Sequence, residues 1–143
     1  MSDENHRNPF KISRKPDFPI RISDAYFVRS ESQRTQNIEG ISIENNVHMP
    51  LYTGLNLLSI ARPNLSLSAF DVLEQIHDGT EITRFDRVSQ LYTSAVHIGS
   101  RAVGEDFPVT VGEGYFVRVR AQGVWSPSVA TPRRTVSVRD AGI

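Results

Sequence analysis

A chain of 143 residues with 38% apolar content can bury a core, and its formal net charge of zero lacks the basic excess of proteins that hold nucleic acid by neutralising phosphates. It contains no cysteine, which excludes disulfides, thiolate zinc sites, iron–sulfur clusters and cysteine nucleophiles. No apolar run approaches the roughly 18 residues of a membrane span, so membrane insertion is not expected.

The N-terminal "MSDENHRNPFKISRK" is polar and has no apolar centre, so it does not read as a secretory signal. If Met1 is the native start, the protein is expected to be made in the cytoplasm and to stay there or be packed into a virion or other large assembly. If the chain is trimmed, the extracellular surface becomes the expected location. Residues 1–17 carry Arg7, Lys11, Arg14, Lys15 and Asp17 with two prolines, and only Phe10 and Ile12 are large apolar residues after Met1. Such a segment buries too little to order itself and reads as an extended arm.

The alternation in "FPIRI" and "YFVRS", residues 18–30, predicts a tight β-hairpin turning near Ser23 and Asp24. "ISIE" begins a short strand, and residues 55–60 form a stronger one, ended by Pro63. A single short helix is expected over about 68–77. Ser66 or Ser68 can cap it, and Asp71 follows Ser68 at capping-box spacing. Phe70, Leu73 and Ile76 or His77 share one face with Val72 beside it, and Gly79 stands where a left-handed cap would end the helix. "EITRFD", "SQLYTSAVHI" and "FPVTV" read as strands. "GEGYFVRVRAQG" reads as a second hairpin, "VWSPSVATPRR" as an extended link and "TVSVRD" as a last strand. The fold class is therefore mainly β, a sandwich or barrel of short antiparallel strands with one inserted helix.

Residues 18–30 and 107–119 match at six positions of thirteen. Phe18, Pro19, Tyr26, Phe27, Val28 and Arg29 recur as Phe107, Pro108, Tyr115, Phe116, Val117 and Arg118. Ile20, Ile22 and Asp24 are replaced conservatively by Val109, Val111 and Glu113. Further on, "ISIE" at 41–44 is similar to "VSVR" at 136–139. A single β domain, 18–143, is thus expected to hold two related half-units, 18–46 and 107–143, around a unique middle, 51–106. The halves either share that middle about a pseudo-two-fold axis, or the first half needs strands from a neighbouring subunit.

"TGLNLLSIARPN", "SAFDVLEQI", "ITRFDRVSQLYTS" and "FPVTVGEGYFVRV" together resemble a β-rich repeat module of bacterial surface and extracellular proteins. The matching stretch is about 53–119. In that pattern a "G-x-N-L-I-S-x-P" strand leads to a short helix, an "I-x-R-F/Y-D" strand and a "P-G-x-G-Y-F/W-V" hairpin. Here the first proline is displaced to Pro63, and Val111 replaces the second. The resemblance implies a non-catalytic building or attachment module.

Chemistry-bearing patterns are few. His6, His48, His77 and His97 show no metal-pair spacing. No "GxSxG" occurs, and Ser59 lies inside a predicted strand. Gly112 and Gly114 fall between strands, where they serve turn geometry and not a phosphate at a helix N-terminus. Asp71, Glu74, Asp86, Glu105, Asp106 and Glu113 would need the fold to bring two of them together for acid–base work. "EDFP" and "HDGTE" lack the alternating ligands of a calcium loop. No cofactor is expected.

Neighbours in "AYFV" and "GYFV" point to opposite faces. Phe27 and Phe116 are assigned to the core and Tyr26 and Tyr115 outward. Trp125, in the proline-rich link, is the best candidate for docking or sugar stacking, or else packs back on its own domain. The cations are 14 Arg against 2 Lys, a balance that reflects either genomic composition or interface use. Interface candidates are Phe10, Arg14, Tyr26, Tyr115, Trp125, Arg133 and Arg134. The function expected is that of a non-enzymatic structural protein assembling through β-edges and arms, as a homo-oligomer or with other structural proteins, in a virion, surface layer or filament. The alternative is a carbohydrate-binding β-sandwich module, resting on the resemblance and on Trp125, Tyr92 and Tyr115; nucleic acid is not expected as the main ligand.

Overall fold

The computed structural model describes residues 17–41, 47–62 and 64–132. The fold is mainly β. Among the described residues nine short strands and one helix follow in order: β1 (Met49–Leu51), β2 (Gly54–Ser59), β3 (Leu67–Ser68), α1 (Ala69–Gln75), β4 (Gly79–Asp86), β5 (Leu91–Ile98), β6 (Arg101–Gly104), β7 (Pro108–Val109), β8 (Gly114–Val119) and β9 (Gly123–Trp125).

Five of the strands form an antiparallel sheet in the order β2-β8-β4-β5-β6. It is open and does not close into a barrel. Two-stranded ladders, β1–β9 and β3–β7, complete the structure. Period-two alternation sorts the side chains of the large sheet. Leu58, Tyr115, Val117, Ile82 and Ala95 share the inner face with buried Val72, Leu73 and Ile76 of the helical segment. Leu57, Phe116, Phe85 and Tyr92 share the other face.

Ser68 caps α1 as the spacing predicts. Its hydroxyl accepts from Asp71 N–H, and the Asp71 carboxylate accepts from Ser68 N–H. At seven residues the helix cannot stand alone; it lies across β4, β5 and β6, with Ala69, Val72 and Leu73 buried. The β4–β5 turn is held by Asp86, whose carboxylate accepts from the amides of Val88 and Ser89, while Gln90 takes a left-handed φ of 61°. Those two amides, that of Ser89 foremost, hold the Asp86 carboxyl below its usual range.

Several local expectations are corrected. Gly79 is not a left-handed cap: the helix ends at Ile76 in extended backbone, and Gly79 opens β4 with its N–H on Ile76 C=O. A Cβ at Gly79 would meet Ile76 at 3.1 Å, so the glycine permits close passage of strand and helix. The segment after residue 122 is extended but not merely a link, because Gly123–Trp125 pairs as a strand with Met49–Leu51. Residues 107–119 are not a hairpin. β7 pairs with β3, and β8 pairs with β2 and β4, so the turn between them is a corner that passes the chain from one sheet to another. Residues 18–30 likewise form a turn without a ladder, and among the described residues their sole bridge joins Asp24 to Leu58. The strand expected near residues 41–44 and the last strand at 135–140 lie outside the described residues, apart from Ile41 in irregular backbone. So does the arm, apart from Asp17.

Candidate interaction surface

The corner at 107–119 is built around one tyrosine. Tyr115 OH accepts from Thr110 N–H at 2.8 Å and donates to the Glu113 carboxylate at 3.0 Å. Glu113 N–H donates to Thr110 C=O, and Gly112 carries the positive φ of 85° that the turn requires. The Phe107 and Tyr115 rings stack at 6.1 Å with 6° between planes. A tyrosine whose hydroxyl reaches back to upstream backbone is a known way to fix a β corner. Burial, with the Glu113 carboxylate as acceptor, pushes the Tyr115 phenol above its usual range.

Residues 18–30 repeat these contacts, with Tyr26 OH in addition 3.4 Å from Pro19 C=O. Tyr26 OH accepts from Arg21 N–H at 2.9 Å and donates towards Asp24 at 3.3 Å. Asp24 N–H donates to Arg21 C=O, and Ser23 takes a positive φ of 69° in the place of Gly112. Phe18 stacks on Tyr26 at 5.5 Å and 16°.

What covers the two corners differs. Phe107 is 1% exposed and Phe18 66%; Val109 is 9% and Ile20 75%; Val117 is 0% and Val28 88%. The corner at 18–30 touches the body at few points. Ser59 N–H donates to Ser23 C=O, Ser59 Oγ donates to Asp24 C=O, and the Phe27 ring stands 5.7 Å from Phe116 and 6.4 Å from Phe85. Clefts border it. One of about 480 Å³ is lined by residues 25–28 together with Leu57, Arg84–Val88, Gly112–Gly114 and Phe116. Another of about 560 Å³ is lined by residues 21–25 with His48, Met49, Tyr52 and β2. Phe85, Tyr92 and Phe116 continue the aromatic cluster on the sheet's outer face, with Phe85 and Tyr92 at 5.1 Å.

The tyrosine–phenylalanine assignment is reversed at the second corner. Tyr115 is in the core and Phe116 on the outer face. The inner seat goes to the ring whose hydroxyl satisfies a backbone amide there, which phenylalanine cannot do. At the first corner Phe27 is exposed, not core, and Tyr26 is half-buried against Phe18. Trp125 is also buried, on β9. Its Nε1–H donates to Gln75 Oε1 at 3.2 Å, so it packs on its own domain and offers no docking face. Of the interface candidates, Tyr26 thus stays at the surface and Tyr115 and Trp125 do not. Phe10, Arg14, Arg133 and Arg134 lie outside the described residues. Sequence reasoning singled out Tyr92 for sugar contact but missed that Leu57, Phe85 and Phe116 gather beside it, although period-two alternation in β4 and β5 marks Phe85 and Tyr92 once their register is known.

Carboxylates and histidines serve local structure. Asp71 and Asp106 accept backbone amides at the start of α1, Glu81 pairs with Arg118 at 3.3 Å, and Asp86 holds its turn. His97 Nδ1 donates to Gly79 C=O, and His48 Nδ1 bonds Ser126 Oγ. Among the described residues no three metal-ligating side chains gather, and no helix is long and apolar enough to cross a membrane. Comparison with protein-family models, with curated proteins and with solved structures finds no match.

Proposed function

We propose that the protein is a non-catalytic structural component which joins its neighbours through the corner at 18–30 and the adjoining outer face, as a building block of a larger assembly such as a virion, surface layer or filament. One observation carries the reading. The same tyrosine-held corner is built twice, and the apolar side chains covered in one are bare in the other. Covering side chains such as Phe18, Ile20, Phe27 and Val28 would contribute about 1.5–3 kcal/mol each, enough together to hold a partner against the cost of association. The resemblance to repeat modules of surface proteins points the same way.

Light scattering coupled to size exclusion tests it. A species of defined mass above 16.0 kDa, lost in the Phe18→Ser/Val28→Ser variant, is expected. A 16.0 kDa monomer at every concentration would count against self-assembly.

A carbohydrate-binding module is the second reading. It is favoured by the exposed Tyr92 beside Phe85 and Phe116, next to a cleft rimmed by Arg84, Asp86 and Arg87. Retardation in polysaccharide gels, abolished by Tyr92→Ala, would support it, and no retardation in any gel would remove it.

A further inference from the structure

The chain itself shows what a corner of this kind is made to sit in. Around residues 107–119 the seat is the strand–helix–strand stretch of residues 67–86. Leu67 pairs with Val109 and Ser68 with Pro108. Ala69 N–H donates to Phe107 C=O at 2.8 Å. The Arg84 guanidinium lies 5.0 Å over the Phe107 ring. β4 then runs beside β8, with Arg84 opposite Tyr115, Thr83 opposite Phe116 and Ile82 opposite Val117.

We propose that the corner at 18–30 is seated in the same way, on a strand–helix–strand unit of the build of residues 67–86 carried by a different polypeptide, since a second copy of this chain fills its own such unit with residues 107–119. The inference rests on the assembly reading above and names its partner. The within-chain seat cannot serve, because residues 107–119 fill it. The position that 18–30 now holds, at the end of β2, leaves Phe18, Ile20 and Val28 bare. Among the described residues, 25–30 join no ladder, and such backbone is what an added strand pairs with.

The register follows by transposition. The partner's Leu67 equivalent lies opposite Ile20 and its Ser68 equivalent opposite Pro19. Phe18 C=O accepts the amide at the start of the partner's helix, and a partner arginine covers the Phe18 ring. Arg29 stands where Arg118 stands, and so meets an acidic residue in the place of Glu81.

A transplant tests the fit without relying on assembly. The full chain is given V109I, T110R, V111I, G112S and E113D, so that residues 107–113 read as residues 18–24. Residues 115–118 already match. Gly114 is kept, because a Cβ there would meet Ala25 at 2.8 Å. The transplanted chain is expected to unfold cooperatively, with a melting temperature lowered by no more than about 10 °C. A chain that does not fold overturns the proposal.

In trans, the recipient is a full-length chain weakened at both corners by Phe18→Ser, Tyr26→Ala, Phe107→Ser and Tyr115→Ala. A peptide of residues 17–30 should bind it and raise its melting temperature, and a peptide of residues 107–119 should do the same. Binding of the second peptide alone overturns the proposal, and if neither binds, the transplant decides. A transplant that folds beside an intact chain that stays monomeric removes self-assembly and keeps the seat on the different polypeptide. Assembly of the intact chain beside an unfolded transplant keeps the assembly reading and removes the seat.

Discussion

The corner at 107–119 and the corner at 18–30 have the same ring stack, the same amide-to-tyrosine bond and a left-handed residue at the same place. One lies under the helix-bearing layer and the other at the surface. A stretch of thirteen residues therefore sets its own bend by local bonds, with or without a roof. The roof decides how much each residue contributes to stability. In the buried corner the local bonds are made in a water-poor setting and the rings add their transfer free energy. In the exposed corner the same bonds compete with water.

Truncating the tyrosines should separate the two most widely. Tyr115→Ala removes a buried ring at the centre of the sheet and is expected to cost about 3–5 kcal/mol, whereas Tyr26→Ala should cost about 1 kcal/mol or less. Urea denaturation followed by fluorescence of the single tryptophan, Trp125, measures both. Equal costs would break the comparison, since they would mean that 18–30 is covered in solution as fully as 107–119. Removing only the hydroxyls asks the same question on a smaller scale. Tyr115→Phe strands the Thr110 amide and should cost about 1 kcal/mol, and Tyr26→Phe clearly less, because water replaces the lost partner of Arg21 N–H.

The left-handed position offers a pair of changes with opposite signs. Gly112→Ser should destabilise by about 0.5–1 kcal/mol, because a side chain is forced to a φ of 85°. Ser23→Gly should stabilise by a similar or smaller amount. It relieves a non-glycine residue at 69° and removes a buried hydroxyl, Ser23 Oγ, that has no hydrogen-bond partner among the described residues. Thermal unfolding of the two single variants and the double variant checks both signs. Two shifts in the same direction would show that the turns are not built alike.

Much of the scaffold is legible in the sequence because it is local. The Ser68–Asp71 capping pair, the alternation in β4 and β5, and the residue-for-residue match of 18–30 with 107–119 need no knowledge of the rest of the chain. The failures are non-local. Alternation in "GYFV" says that Tyr115 and Phe116 face apart, but not which faces in. That is decided by the Thr110 amide, which only a hydroxyl within the corner can satisfy. Trp125 opens a proline-containing link in sequence and is a docking candidate there, yet it is claimed by Gln75 of the helix. The pairing of Gly123–Trp125 with Met49–Leu51 joins segments some seventy residues apart, beyond the reach of any periodicity. The outer aromatic cluster was hidden for the same reason, since it depends on the register of three strands.

The smallest effect expected is one of alkaline pH, and it sharpens the contrast because it reads burial directly. Tyr115 is pushed above its ordinary value first by burial, with the neighbouring Glu113 carboxylate adding to the push. The folded chain therefore holds the phenolic proton more tightly than the unfolded chain does. Stability from this source is fully present below the unfolded tyrosine value of 10.0 and is lost as pH rises through the higher folded value. Unfolding free energy measured against pH in the alkaline range should fall across that window. Tyr115→Phe should remove the part of the slope that belongs to this residue. Glu113→Gln, which deletes the like charge and leaves the ring buried, should shrink that part without abolishing it. A slope untouched by Tyr115→Phe would place the proton elsewhere, and would mean that the ring at the heart of the second corner is more open to water than its packing against Phe107 implies.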